Sequence, residues 1–218
     1  MDETARDIAK AAGEIGKGIG KTADFGGKVV DAGTGFGGWL KDTFGTIPQD
    51  LLGVAGGDWL HYRRRMNLLQ LELKTEVLRE KLNENRLIEP SPSILLPLLQ
   101  HAANESRDEL QDLWAALLIS AMHPEAYRRV RRSFFETLMK MEPLDALVFD
   151  KIIRSKTPAV NKGARKFLEE ELGIRQTEVQ LSMAALSNLG LLTGDQFSYV
   201  SPYGYEFWRA CNPEEASV

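Results

Sequence analysis

The sequence predicts a mainly α protein in three parts: a glycine-rich amphipathic leader over 1–57, a helical domain over 58–142, and a small winged-helix-like module over 143–218. Three observations predict this. Of 19 glycines, 14 fall between Gly13 and Gly57, so the first quarter of the chain is one compositional unit. From Asp58 onward, leucine and charged residues recur with helical period. From Pro143 the pattern becomes three helices, a short hairpin and a last helical turn. The 218 residues suffice for one large domain, or two small ones with an extension. At 43% hydrophobic and 27% charged the chain is globular on average, and a net charge of −4 does not mark a polyanion binder. Its single cysteine, Cys211, excludes an internal disulfide framework and fits a reducing cytosol. The acidic start, MDETARDIAK, has no charged-then-apolar signal pattern, so the expected location is cytoplasmic.

The leader places Ile8, Ala12, Ile15, Ile19, Ala23, Gly26, Val30, Gly33, Gly37, Leu40, Phe44, Ile47 and Leu51 at alternating threes and fours, one helical face. Each glycine inside a helix costs about 1 kcal/mol relative to alanine, so this face needs a partner to hold it: another copy, the rest of the chain, or a lipid surface. The pairs Gly16/Gly20, Gly33/Gly37 and Gly53/Gly57 have the small-xxx-small spacing of closely packed membrane helices. Trp39 and Trp59 stand 20 residues apart, which as a helix is about one hydrocarbon thickness. Arg63, Arg64 and Arg65 follow as an anionic-lipid anchor would. Lys41, Asp42 and Asp50 lie between the tryptophans, and no run reaches the roughly 18 apolar residues of a simple transmembrane helix. The plain alternative is a poorly ordered extension with a few amphipathic turns.

Two nucleotide motifs come near in the same stretch and fail on context. Gly20-Lys21-Thr22 ends a P-loop whose first glycine is replaced by Ile15, with no strand before it. Gly33, Gly35 and Gly38 spell G-x-G-x-x-G, but no train of βαβ units follows.

The middle domain opens with a long helix from Asp58 to about Glu84, whose expected buried stripe is Trp59, Tyr62, Met66, Leu69, Leu73 and Val77. EPSPS at 89–93 breaks it. Helices then run from Ile94 to about Ala103 and from Ser106 to about Met122, the second burying Leu110, Leu113, Trp114, Leu117 and Leu118. Asp108, Glu109 and Asp112 sit near its start, where carboxylates suit the helix dipole better than they suggest a metal site. Arg128, Arg129, Arg131 and Arg132 form the densest positive charge in the chain, suited to a phosphate, a lipid headgroup or an acidic partner, or else a solvated helix start.

In the last part, PLDALVFDKIIRS and KGARKFLEEELG are two helices, and Thr177 with Gln180 is the expected capping box of a third. Two short strands surround Thr193-Gly194-Asp195. A winged helix that reads DNA needs cations on its third helix and wing, yet no lysine or arginine occurs from Gln176 through Trp208. That deficit speaks against nucleic acid and for a protein partner.

The stretches DWLHYRRRMNLL, EPSPSILLPLLQHAANES, DELQDLWAALLISAM, RRVRRSFFETLMKMEPLDA and LGLL…YVSPYGYEFWRAC resemble the Abi-alpha (abortive infection alpha) family of bacterial proteins, over about 58–211. The resemblance implies a role in defence against phage, by killing or halting the infected cell. It brings no catalytic residues. His61, His101 and His123 show no metal-ligand spacing, Cys211 has no CxxC partner, and no G-x-S-x-G or H-E-x-x-H occurs. The expectation is therefore a non-enzymatic effector with no cofactor and no metal. Its leader acts on the inner membrane, peripherally, or by homo-oligomeric assembly, after a phage or host protein triggers it. The alternative is a winged-helix regulator that binds nucleic acid or a protein.

Overall fold

The computed structural model describes residues 57–82, 87–155, 162–194 and 199–213. All of them belong to one compact unit, Ile47–Val218. Gly16, Gly20, Gly33, Gly37, Trp39 and Gly53 lie outside the described residues.

The described residues are mainly helical, as the sequence predicts. The helices are α1 (Gly57–Lys81), α2 (Pro92–Ala102), α3 (Asp108–Met122), α4 (Arg132–Met139), α5 (Pro143–Arg154), α6 (Lys162–Leu172), α7 (Gln176–Asn188) and α8 (Pro202–Cys211), with a 3-10 turn at Tyr127–Arg129. Strands β1 (Leu192–Thr193) and β2 (Tyr199–Val200) pair antiparallel, with Leu192 opposite Val200 and Thr193 opposite Tyr199. The last element is thus a ten-residue helix rather than a final turn.

Helix α3 is the centre. Leu110, Trp114, Leu117, Leu118 and Ile119 are all at most 1% exposed, so it is buried nearly all round, against α1, α2 and α8. Aromatic rings close the core between α4, α5 and α8: Phe134 meets Phe207 edge-on at 5.6 Å and Tyr203 at 5.4 Å, and Phe149 lies 6.2 Å from Phe207. The Ser120 hydroxyl, also buried, donates to the Ala210 carbonyl at 2.7 Å and satisfies one of the last acceptors of α8.

Proline sets three helix starts. Pro92, Pro143 and Pro202 occupy the first turn, where their missing N–H costs nothing. Pro97 lies inside α2 and cannot donate to the Ser93 carbonyl. That carbonyl instead accepts from Arg132 Nε at 2.9 Å. Gly190, at φ +75°, ends α7 in the left-handed region that a side chain disfavours. The Leu191 N–H then turns back to Leu186 O at 2.9 Å.

Three local expectations are corrected. Helix α7 begins at Gln176, and Glu178, not Gln180, reaches back, accepting from the Arg175 N–H at 2.9 Å. The arginine run is not a helix start throughout: Arg128 and Arg129 lie in the 3-10 turn, and α4 begins at Arg132. In α1 the buried side chains are Asn67, Leu68, Leu71 and Thr75, not the stripe from Trp59 to Val77.

Candidate functional site

Helix α1 has two apolar faces about half a turn apart. The inner one docks on α2 and α3 through Leu68 and Leu71, and polar groups tie it down. Asn67 Nδ2 donates to the Ala103 carbonyl at 2.8 Å, and Arg64 Nε donates to Asn104 Oδ1 at 2.8 Å. Lys74 reaches both Asp108, at 2.8 Å, and Asp112 at the start of α3. Burial pulls the Lys74 pKa down, but the two carboxylates outweigh it and hold the ammonium charged. The outer face carries the predicted stripe. Trp59 is 71% exposed, Tyr62 47%, Leu73 41% and Val77 62%, with Met66 and Leu69 half-buried. Arg63 lies over the Trp59 ring at 5.9 Å, and Arg65 is exposed. Gly57 is the first residue of α1.

The second arginine group is spread over a turn. The Arg128 guanidinium lies 5.5 Å from the Tyr127 ring and donates from Nε to its hydroxyl at 3.0 Å. Arg131 is exposed and Arg129 half-buried. Arg132 is committed to Ser93 O, which gives this member of the run a structural duty. The two arginine groups lie on separate elements, α1 and the turn before α4.

Sequence reasoning missed a groove along α3. Two adjoining hollows of 440 and 320 Å³ share Asp112, Leu113, Arg154, Cys211 and Asn212. Arg154 lies 5.5 Å from the Trp208 ring and makes a 2.8 Å ion pair with Asp150. Trp208 Nε1 donates to the same carboxylate at 3.2 Å. The groove thus has an apolar floor and a rim of mutually satisfied charges. Nothing in the spacing of residues 112, 154 and 208 announces it, because each belongs to a different helix.

The remaining reactive side chains have structural surroundings. His101 packs 6.1 Å from Trp114; burial lowers its pKa, against a weaker opposing pull from Glu136. Burial raises the Cys211 thiol well above its ordinary value, which disfavours the thiolate. Glu105 is buried at the turn into α3, where it accepts from the Ser106 and Arg107 N–H groups at 2.9 and 2.8 Å and pairs with Arg107 at 2.8 Å. Burial pushes its carboxyl up, and these donors more than reverse it, so the pKa ends below the ordinary value. Among the described residues no three His, Cys, Asp or Glu are placed to hold a metal, and no helix is long and apolar enough to cross a membrane.

A family model described as abortive infection alpha matches residues 63–198, more than half of the chain. The chain belongs to the abortive infection alpha family. The match runs from the second turn of α1 to the hairpin, so it includes the outer stripe from Met66 onward and every helix up to α7. Comparison with curated proteins and with solved structures gave no match. Membership in the abortive infection alpha family suggests abortive infection, the sacrifice or arrest of a phage-infected cell.

Proposed function

We propose that the chain is a non-enzymatic abortive-infection effector whose leader acts at the inner membrane once a phage or host protein releases it. The observation that supports this best is the start of α1. Trp59 is 71% exposed, with Arg63 over its ring, two residues after Gly57. An indole with a cation over its ring suits the headgroup region, where the ring is half-desolvated and the cation meets anionic lipid. The glycine pairs of the leader add a route to close helix contact in lipid. In this reading the helical body is the part that meets the trigger, and the groove beside Trp208 is its candidate surface.

The test is flotation of the full-length protein with liposomes rich in anionic lipid, alongside dye leakage. Full-length protein is expected to float and to release dye, and Trp59→Ala with Arg63→Glu to float less. Removing residues 1–57 is expected to abolish both effects, together with protection of a culture against phage. A leaderless chain that still halts infected cells would sink the proposal.

A further inference from the structure

The turn between α3 and α4 gathers Arg128, Arg129, Arg131 and Arg132 within five residues, and the fold leaves their charge unneutralised. Among the described residues none of the four pairs with a carboxylate; Arg128 is held by Tyr127 and Arg132 by the Ser93 carbonyl. Glu125 and Glu136, the carboxylates nearest in sequence, pair with none of them. Elsewhere the fold matches its cations: Lys74, Arg107, Lys151, Arg154, Arg175 and Arg209 each meet a carboxylate. The turn is fixed by its own backbone. The Arg129 N–H donates to Ala126 O at 2.8 Å, and the Phe134 N–H to Arg131 O at 3.0 Å. Val130 and Arg131 are extended, so their side chains alternate: Val130 is buried and Arg131 faces water. Like charges are thus kept together at a cost in repulsion that an anion offsets. Guanidinium groups suit phosphate, which they grip with two parallel hydrogen bonds.

The surroundings say which phosphate fits. The four arginines line neither hollow along α3. An open cationic turn suits phosphates presented as a flat array. Exposed apolar groups stand beside it. Tyr127 is 40% exposed under Arg128, and Leu96, one turn along α2 from the Ser93 carbonyl that holds Arg132, is 45% exposed. A ring and an aliphatic side chain among arginines suit the headgroup level of a bilayer, whereas a leucine adds nothing to the grip on a free phosphate or a nucleic-acid backbone. This is not the Trp59 contact again. Asn67 meets Ala103 and Lys74 meets Asp108, so α1 runs beside α3 in the same direction. Trp59 therefore lies toward the start of α3, and the arginine turn follows its far end, about 22 Å along the axis.

We propose that residues 127–132 form a second anionic-lipid contact, in which Arg128, Arg129 and Arg131 hold headgroup phosphates and Tyr127 and Leu96 sit among them. It rests on the reading that the leader acts at the membrane: stable anchoring takes two signals, and the turn supplies the second.

Flotation of the full-length chain with vesicles of phosphatidylglycerol and phosphatidylcholine in equal parts tests this, with phosphatidylcholine vesicles as the control. The wild type is expected to float with the first and not with the second. Arg129→Gln with Arg131→Gln is expected to keep helicity and melting temperature, and to weaken partition about fivefold for each charge, about thirtyfold together. Arg129→Lys with Arg131→Lys is expected to keep most of the binding. A wild type that does not float overturns this contact and the membrane reading together. Flotation that the glutamine pair leaves unchanged overturns this contact alone. If flotation survives Trp59→Ala with Arg63→Glu and is lost only with the glutamine pair, the turn stands and the contact at the start of α1 falls. A chain that ignores vesicles but binds inorganic triphosphate or an RNA oligonucleotide through these arginines also overturns the lipid assignment.

Discussion

Gly204→Ala is the sharpest test of how the C-terminal helix is seated. Gly204 lies in the first turn of α8, against the backbone at the end of α7. A Cβ built there sits far inside van der Waals contact of the Leu191 carbonyl oxygen, 3.1 Å from its carbon and 3.0 Å from Val200 Cγ1. That oxygen already accepts the Ser201 N–H at 2.9 Å, while the Ser201 hydroxyl donates to Gly190 O at 2.5 Å. Backbone cannot rotate aside as a side chain can, so α8 must lift by about an ångström. Forced overpacking costs about 1–3 kcal/mol. Breaking a buried backbone hydrogen bond adds about 1–3 kcal/mol. Alanine returns about 1 kcal/mol of helix propensity. The net loss is about 1–5 kcal/mol, centred near 3, which for a unit of this size lowers the melting temperature by about 6–12 °C at the centre of that range. Thermal melts followed by circular dichroism measure it. Gly173→Ala is the control: φ is +63° there with nothing within 4 Å of the added carbon, so only the backbone strain is felt, about 1 kcal/mol. Equal melting temperatures for the two variants, or a Gly204→Ala protein as stable as wild type, would refute the reasoning.

Glu105, with a folded pKa below its ordinary 4.5, stabilises the fold fully above that value and loses the contribution as pH falls through the lowered one. Urea unfolding from pH 7 to pH 3 is expected to show Glu105→Gln less stable at neutral pH by about 1–2 kcal/mol, with the gap closing in acid. Cys211, 5% exposed with its thiol pKa raised by burial, is expected to react with a thiol reagent at pH 8 only at the rate the protein opens, and at full speed in denaturant. A fast native reaction would show that the C-terminal end of α8 is not held as described.

Element type was legible wherever the apolar period was long. The bounds of α2, α3 and α5 fall within about two residues of where the proline and cap signals put them; in α2 and α5 a first-turn proline fixes the start sterically and needs no tertiary partner. Helix α7 shifted because its N-cap is Arg175 rather than Thr177, which makes Glu178 the residue three positions on that reaches back. Helix α8 was read short because Gly204 and Tyr205 weaken its propensity; the close seat against Leu191, which only glycine permits, lies in no local pattern. The role of Arg132 was equally hidden. It follows from the Ser93 carbonyl, 39 residues earlier in the chain, which Pro97 orphans.

The misread face of α1 has a physical cause that bears on function. From sequence, the stripe of Trp59, Tyr62, Met66, Leu69, Leu73 and Val77 is the more apolar side, while the opposite side carries Arg64, Asn67 and Thr75. Periodicity counts apolar groups and so chooses the first. The fold chooses the second because its polar groups all find partners: Asn67 the Ala103 carbonyl just past α2, Thr75 the Leu71 carbonyl at 2.7 Å, and Arg64 the side chain of Asn104. A polar group buried with its hydrogen bond made costs little, whereas the outward stripe leaves several large side chains in water at about 25 cal/mol for each Å². A helix that spends its polar face on its own core and turns its apolar face outward has surface free energy still to gain. In this chain that surplus sits on α1, which follows the leader in the sequence.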